Sequence, residues 1–380
     1  MPALFVITAP GLESITAQEI GRLGLTAQSV EAGGVNLDAG HADIATLNIQ
    51  LRTASRILVR LGEFHASAFA ELERRAAKLP WAEYLRPGQG TAFRVTSKKS
   101  RLYHQDGIAE RLVRVASAAM EGVHPVAWPG DDHEDSPDVL QPQRFIVRAF
   151  RDTITVSADS SGTLLHRRGY RKETAKAPLR ETLAAAMLLG VGWDGSVPLV
   201  DPFAGSGTIP IEAAMIARRI APGLHRSFAA EQWPCMPAGT FEEARAHALD
   251  TRLSTLDVGI VASDRDAGAV AAMRHNAERA GVSADIAIRQ AVISELELPP
   301  VAGWIVTNPP YGVRVGERIR LRNLYAQTGN VLRAKAEGWG VGLLSVHPAL
   351  DQQLGLPLTP VWHTSNGGIG VRLVAGVVGA

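Results

Sequence analysis

The tetrad Asn308-Pro309-Pro310-Tyr311 follows an apolar run, Trp304-Ile305-Val306. Its residue types suit one difficult reaction, methylation of a planar NH2 group. The lone pair of such a nitrogen is delocalised into a ring or a carbonyl, so it is a poor nucleophile. The Asn308 side-chain oxygen and a nearby backbone carbonyl can accept its two N–H groups. That favours the pyramidal nitrogen that attacks a methyl donor. Pro309 and Pro310 stiffen the backbone and offer no competing N–H. Tyr311 presents a flat face on which a base can stack. A proline-rich turn closing a buried strand would use the same four residues, so a second motif is needed.

That motif is Asp201-Pro202-Phe203-Ala204-Gly205-Ser206-Gly207-Thr208. Val197–Val200 before it reads as a buried strand, and 209–217 after it as a helix. Strand, glycine loop and helix make a nucleotide-type crevice. Gly205 and Gly207 would let the backbone approach a ligand closely. The loop lacks a Gly-Lys-Ser/Thr ending, and Pro210 replaces the third glycine of a dinucleotide fingerprint. An Asp opening the loop suits a ligand with an ammonium group, such as the methionine part of S-adenosylmethionine. The next strand, 258–263, ends at Asp264, whose carboxylate can take both hydroxyls of a ribose. Asp266 is placed to cap helix 267–280. Asp201, Asp264 and Asn308 all stand at strand ends, so one crevice can hold donor and target.

The two motifs in this order resemble class I methyltransferases. Residues 164–216 and 303–316 resemble, more specifically, the THUMP-containing RNA guanine-N2 methyltransferases. The matching stretches are Leu165-His166-Arg167-Arg168-Gly169-Tyr170-Arg171, Ala177-Pro178-Leu179-Arg180-Glu181-Thr182-Leu183-Ala184, the Asp201–Thr208 loop, and Val306-Thr307-Asn308-Pro309-Pro310-Tyr311-Gly312. Three departures stand out. Many relatives have Cys where this chain has Ala204, an acid where it has Val313, and Gly-Asp-Ala where it has Ala291-Val292-Ile293. The last leaves the partner of the donor's adenine open. By the resemblance, S-adenosylmethionine is the cofactor, and Glu181 and Thr182 close over its methionine end. On the residues alone, those two serve as first-turn charge and cap.

The resemblance implies an α/β fold. A Rossmann-like class I methyltransferase sheet over 178–380 is preceded by an α+β region, ferredoxin-like over 1–55 and THUMP-like over 56–163, with a basic linker at 164–177. Local patterns agree with the mixture. Strands are expected at 4–8, 56–64, 92–96, 145–150 and 153–158, and helices at 12–23, 69–79 and from an Asp106 cap to Met120. In the second half, a helix from Pro178 to Leu189, strands at 285–289, 303–307 and 340–345, a helix at 318–336 and a terminal hairpin are expected. Residues 220–257 form a long connection, a place that often shapes substrate access. Its Trp233 reads equally well as a packing anchor. If residues 1–160 dock the substrate and 178–380 do the chemistry, the second half alone should keep donor binding.

At 380 residues, 46% apolar, the chain is long enough for two or three domains. A net charge of +1 gives no global pull toward nucleic acid, so an RNA site must be a local patch. Lys98, Lys99 and Arg101, with Tyr103 and His104, read as an ordinary basic loop; the resemblance instead makes them RNA contacts. Arg167, Arg168 and Arg171 could guide RNA backbone between the halves, or pair with carboxylates of either one. Five acids within residues 131–138 read as a solvated loop. The single cysteine, Cys235, excludes an internal disulfide and a cysteine-rich metal site, and suits a reducing, cytoplasmic setting. The N-terminus lacks the pattern of a signal peptide, and no run is apolar enough to span a membrane.

The expected activity is therefore N2-methylation of guanosine in a structured RNA by a monomer without a metal. A tRNA acceptor-stem guanosine is the first reading, and 23S ribosomal RNA the alternative. Ribosomal RNA enzymes of this type are sometimes fused to a second methyltransferase, and this chain ends after one. Two other classes compete: a protein glutamine-N5 methyltransferase, which shares the tetrad, and a non-catalytic RNA-binding factor.

Overall fold

The computed structural model describes residues 1–128, 140–173, 179–311 and 318–379. The first half runs β1 (Ala3–Thr8), α1 (Glu13–Arg22), β2 (Ser29–Glu31), β3 (Gly34–Asp38), α2 (His41–Gln50), β4 (Ala54–His65), α3 (Phe69–Ala76), β5 (Gly90–Lys98), α4 (Gln105–Ala119), β6 (His124–Pro125), β7 (Gln143–Phe150) and β8 (Thr153–Asp159). Its strands form one sheet in the order β2-β3-β1-β4-β8-β7-β5-β6. Leu4, Val6 and Thr8 alternate inward along β1, the pattern of a half-buried strand. β4 pairs with β1 through its first half and with β8 through its second. The sheet therefore runs unbroken across residue 55, where the sequence suggested a division.

Two local expectations change. His104, rather than Asp106, caps α4; its Nδ1 accepts the Gly107 N–H at 2.9 Å, and Asp106 is already the helix's second residue. α2, β2 and β3 were not anticipated. α2 buries Ile44, Ala45, Leu47, Asn48 and Ile49, and the asparagine on its inner face and alanine on its outer face blur the contrast between them. Asn48 is tolerated inside because its amide bonds the hydroxyls of Ser160 and Ser161 at 2.9 and 2.7 Å.

The second half runs α5 (Glu181–Gly190), β9 (Leu199–Asp201), α6 (Thr208–Ala217), α7 (Thr240–Asp250), β10 (Ile260–Asp264), α8 (Ala267–Arg279), β11 (Ile286–Gln290), β12 (Trp304–Thr307), α9 (Arg318–Lys335), β13 (Gly340–Ser345), α10 (Pro348–Leu354), β14 (Thr359–Asn366) and β15 (Ile369–Val377). The sheet order is β11-β10-β9-β12-β13-β15-β14. The five strands from β11 to β13 are parallel; β14 and β15 form the expected terminal hairpin, in which β15 runs antiparallel to both β13 and β14. β13 is buried at every residue, as a strand covered on both faces must be. From β9 the chain builds outward to β11, then returns to add β12 on the other side. The switch point between β9 and β12 opens a crevice at the strands' carboxyl ends.

The halves interlock. Leu224, Phe228, Ala230, Trp233, Phe241 and Ala248, all from the long connection, belong to the first half's core. Leu12, just before α1, and Ile15 within it belong to the second half's core. Trp233 is a packing anchor, buried with its Nε1–H on Gln143 Oε1 at 2.7 Å and its ring edge on Tyr84. Arg226 donates to the carbonyls of Leu164 (2.8 Å), Arg167 (3.2 Å) and Ser161 (3.3 Å), fixing the segment that joins the halves. Arg52 reaches from the first half to the carbonyls of Met215 and Ile220 at the end of α6. The acidic stretch at 131–138, the helix start at Pro178, and Gly312-Val313 lie outside the described residues.

Candidate active site

Asp201 ends β9, Asp264 ends β10, and Asn308 directly follows β12. β10 and β12 flank β9, so parallel pairing alone brings the three residues to one edge. Asp201 is only 1% exposed. Its Oδ1 accepts the Thr307 hydroxyl at 2.6 Å and the Phe203 N–H at 3.1 Å. Its Oδ2 is buried and has no partner among the described residues; the same is true of Asn308 Oδ1. Burial pushes the Asp201 carboxyl up to about 7, against the pull of Thr307 and the Phe203 N–H, and the Asp264 charge adds to the rise. A buried acceptor without a donor costs about 1–3 kcal/mol. Two of them at one crevice fit a ligand that brings N–H groups.

The glycine loop is held from three sides. Asp264 Oδ2 accepts the Gly205 N–H at 2.9 Å, and Asp264 Oδ1 accepts the Asp266 N–H at 2.9 Å. Both oxygens keep lone-pair capacity for further donors such as ribose hydroxyls. The Ala204 N–H bonds Ser263 O at 3.0 Å, and the Asn276 amide bonds Ser206 O at 3.0 Å. Pro202 is buried and Phe203 packs half-buried on the cluster around Val200. The two glycines differ in purpose. Gly205 has φ +54 and open space where a Cβ would stand. Gly207 has φ +91, but a Cβ there would lie 2.5 Å from Met273 Cγ. Its smallness also serves the approach of α8, a demand beside the ligand approach expected of both glycines. Pro210 sits in the first turn of α6, where no helical N–H is lost.

Glu181 opens α5 with its Oε1 3.1 Å from Arg171 Nε; its Oε2 is buried and unpartnered among the described residues. Burial pushes its carboxyl up to about 7, against the Arg171 charge. Thr182 is buried beside it in the first turn.

The basic linker is largely internal. Arg168, expected on RNA, is buried, with Nε 3.3 Å from Glu212 Oε1 and donors on Leu165 O (2.7 Å) and Arg52 O (2.6 Å). Tyr170 also donates to Glu212, at 3.1 Å. Arg171 spends its guanidinium on Glu181 and on Leu179 O at 2.6 Å. Arg168 braces the two halves and Arg171 ties the linker to the start of α5, because cations threaded through a junction must be neutralised there. Arg167 is half-buried. Lys98, the last residue of β5, and Lys99 and Arg101 on the turn after it are exposed, and no carboxylate among the described residues pairs with their side chains. Tyr103 beside them is 79% exposed.

Three positioning residues had no expected role: Thr307, Asn276 and Arg52. Only Thr307 carried a signal, its place next to the tetrad. Among the described residues, no His, Cys, Asp and Glu group is arranged to hold a metal, and no helix is long and apolar enough to cross a membrane.

The family model described as RMKL-like, methyltransferase domain matches residues 168–375, and the RlmL ferredoxin-like domain matches residues 3–58. The chain is similar to the protein of Synechocystis sp. named "Putative RNA methyltransferase slr0064", 32% identical over 97% of this chain and 95% of that one. It is 34% identical to the Ribosomal RNA large subunit methyltransferase K/L of Syntrophotalea carbinolica, over 98% of this chain and 53% of that protein, so it spans about half of that relative's length. The solved structure of SMU.472, complexed with SAH, superposes with a TM-score of 0.86 at 29% identity, covering 100% of this chain and 98% of that one. The first match takes in the glycine loop, the three strand-end residues and the tetrad, and the chain belongs to the RMKL-like methyltransferase family.

Proposed function

We propose that this chain methylates the N2 amine of a guanosine in large-subunit ribosomal RNA, with S-adenosylmethionine as donor. One observation carries the reading: the buried, unpartnered Asp201 Oδ2 and Asn308 Oδ1 on adjacent strands. Asp201 fits the donor's ammonium group, Asp264 its ribose hydroxyls, and the open side of Gly205 its close approach. SAH in the related structure SMU.472 supports the same choice. Guanine-N2 comes from the sequence resemblance. Ribosomal RNA, rather than the tRNA first expected, is favoured by the name of the K/L relative.

S-adenosylmethionine supplies an electrophilic methyl group. The chain's own residues do the rest by orientation and by polar groups placed for the transition state. Asn308 Oδ1 accepts one N–H of the target amine and a neighbouring backbone carbonyl the other. Tyr311, half-buried beyond Pro309 and Pro310, stacks on the flipped base. The first half holds the RNA by shape and phosphate, with Lys98, Lys99 and Arg101 on its surface.

Nucleoside analysis of 23S ribosomal RNA and of tRNA from a strain lacking the gene tests the substrate. Loss of an N2-methylguanosine from 23S RNA is expected. Loss from tRNA alone would return the first reading, and methylation of a release-factor glutamine would move the activity to protein.

A further inference from the structure

Asp201 is held asymmetrically. Both protein donors, the Thr307 hydroxyl and the Phe203 N–H, fall on Oδ1, and none among the described residues falls on Oδ2. A carboxylate's last torsion is soft and nearly two-fold, so without such donors its oxygens would share the inward place. Thr307 is buried, is the last residue of β12, and is bonded through the backbone to Asn308. One hydroxyl thus links the two unpartnered acceptors of the crevice.

We propose that Thr307 is a positioning residue: by holding Asp201 Oδ1 it turns Oδ2 to the crevice for a ligand's ammonium group and sets the donor site in register with the tetrad. This rests on the reading of Asp201 as the ammonium contact. The surroundings give the hydroxyl a second task. β10 brings a like charge, Asp264, and Glu181 of α5 faces Arg171. Among the described residues, no cationic side chain bonds Asp201. Thr307 and the Phe203 N–H are the two groups that favour the ionised carboxylate against burial. Removing the hydroxyl frees the torsion and makes ionisation harder, so ammonium binding should weaken most at low pH.

The test is calorimetry on the full chain and its Thr307→Val and Thr307→Ser variants between about pH 6 and 8.5. Two probes are used: SAH, and 5′-methylthioadenosine, which keeps the nucleoside and lacks the ammonium. Thr307→Val should lose about tenfold in SAH affinity near pH 7, the worth of one hydrogen bond to a charged group. The gap should narrow as pH rises, methylthioadenosine binding should not change, and Thr307→Ser should track the natural protein. If Thr307→Val does not fold, Thr307→Ala goes through the same titration. The proposal is overturned if the variant without the hydroxyl binds SAH normally at every pH, or loses both probes in equal proportion. Failure of the natural protein to bind SAH is a different result and overturns the donor-site reading beneath it.

Discussion

In the proposed reaction Asp201 and Asn308 serve different stages, and their variants should separate them. Asn308→Ala should keep SAH binding and lose turnover by about 100-fold or more, because its oxygen matters chiefly as the amine pyramidalises. A purified variant that methylates at near the natural rate sinks that role. Asp201 makes a pH prediction with a definite sign. Its folded value, about 7, lies above its ordinary 3.8. Between these values the folded protein holds more protons than the unfolded one, so this group's contribution to stability falls as pH rises. Asp201→Asn cannot ionise. Without ligand, its melting temperature relative to the natural protein should therefore improve as pH goes from about 5 to 8. SAH should raise it less than it raises that of the natural protein. A constant difference across that range contradicts the assignment.

At the scale of elements, the two loop glycines should fail differently. Gly207→Ala must move Met273 at the α6–α8 contact and adopt a left-handed φ. It should cost about 1–3 kcal/mol of stability, and Met273→Ala should relieve part of that in the double variant. Gly205→Ala has room for its Cβ and a milder φ. It should cost about 1 kcal/mol and lose SAH affinity if the proposed donor lies on that open side. Thermal melts with and without SAH distinguish the two. Equal melting losses with unchanged SAH affinity in Gly205→Ala would remove the loop from the donor site. The junction makes a related contrast. Arg168→Ala breaks a buried pair with Glu212 and should cost about 3–5 kcal/mol, while the salt dependence of RNA binding stays the same.

For the whole molecule, salt dependence locates the RNA surface. With a net charge of +1, no diffuse field replaces a lost patch. Replacing Lys98, Lys99 and Arg101 together by Ala should weaken RNA binding and flatten the slope of log K against log salt by about 2. An unchanged slope places the RNA elsewhere. The interlocked cores alter one expectation from the sequence. A fragment of 179–380 would expose Leu224, Phe228, Trp233 and Phe241, which the first half now covers. It should aggregate or melt early rather than survive as a free donor-binding domain. A soluble, cooperatively melting fragment with full SAH affinity would show that the long connection refolds by itself.

Local chemistry was legible from the sequence alone because short motifs carry their own geometry. A strand, a glycine loop and a helix specify a crevice, and a strand-end Asp or Asn needs only parallel pairing to face it. The tetrad, the Asp201 loop, Asp264 and the α8 cap at Asp266 all follow from residues close in sequence. The helices α2, with an asparagine on its buried face, and α7, which buries only Phe241 and Ala248, carry too little periodic signal to be seen. Tertiary structure alone decided which charges are spent inside. Arg167, Arg168 and Arg171 read as one basic patch, yet Glu212, distant in sequence, neutralises Arg168, and Glu181 across the start of α5 neutralises Arg171. It decided that Gly207 answers to Met273 and that the long connection belongs to the other half's core. It also set Thr307 on Asp201, a bond spanning 106 residues of sequence. Each of these depends on a partner brought close only by folding, and a one-dimensional pattern does not name that partner.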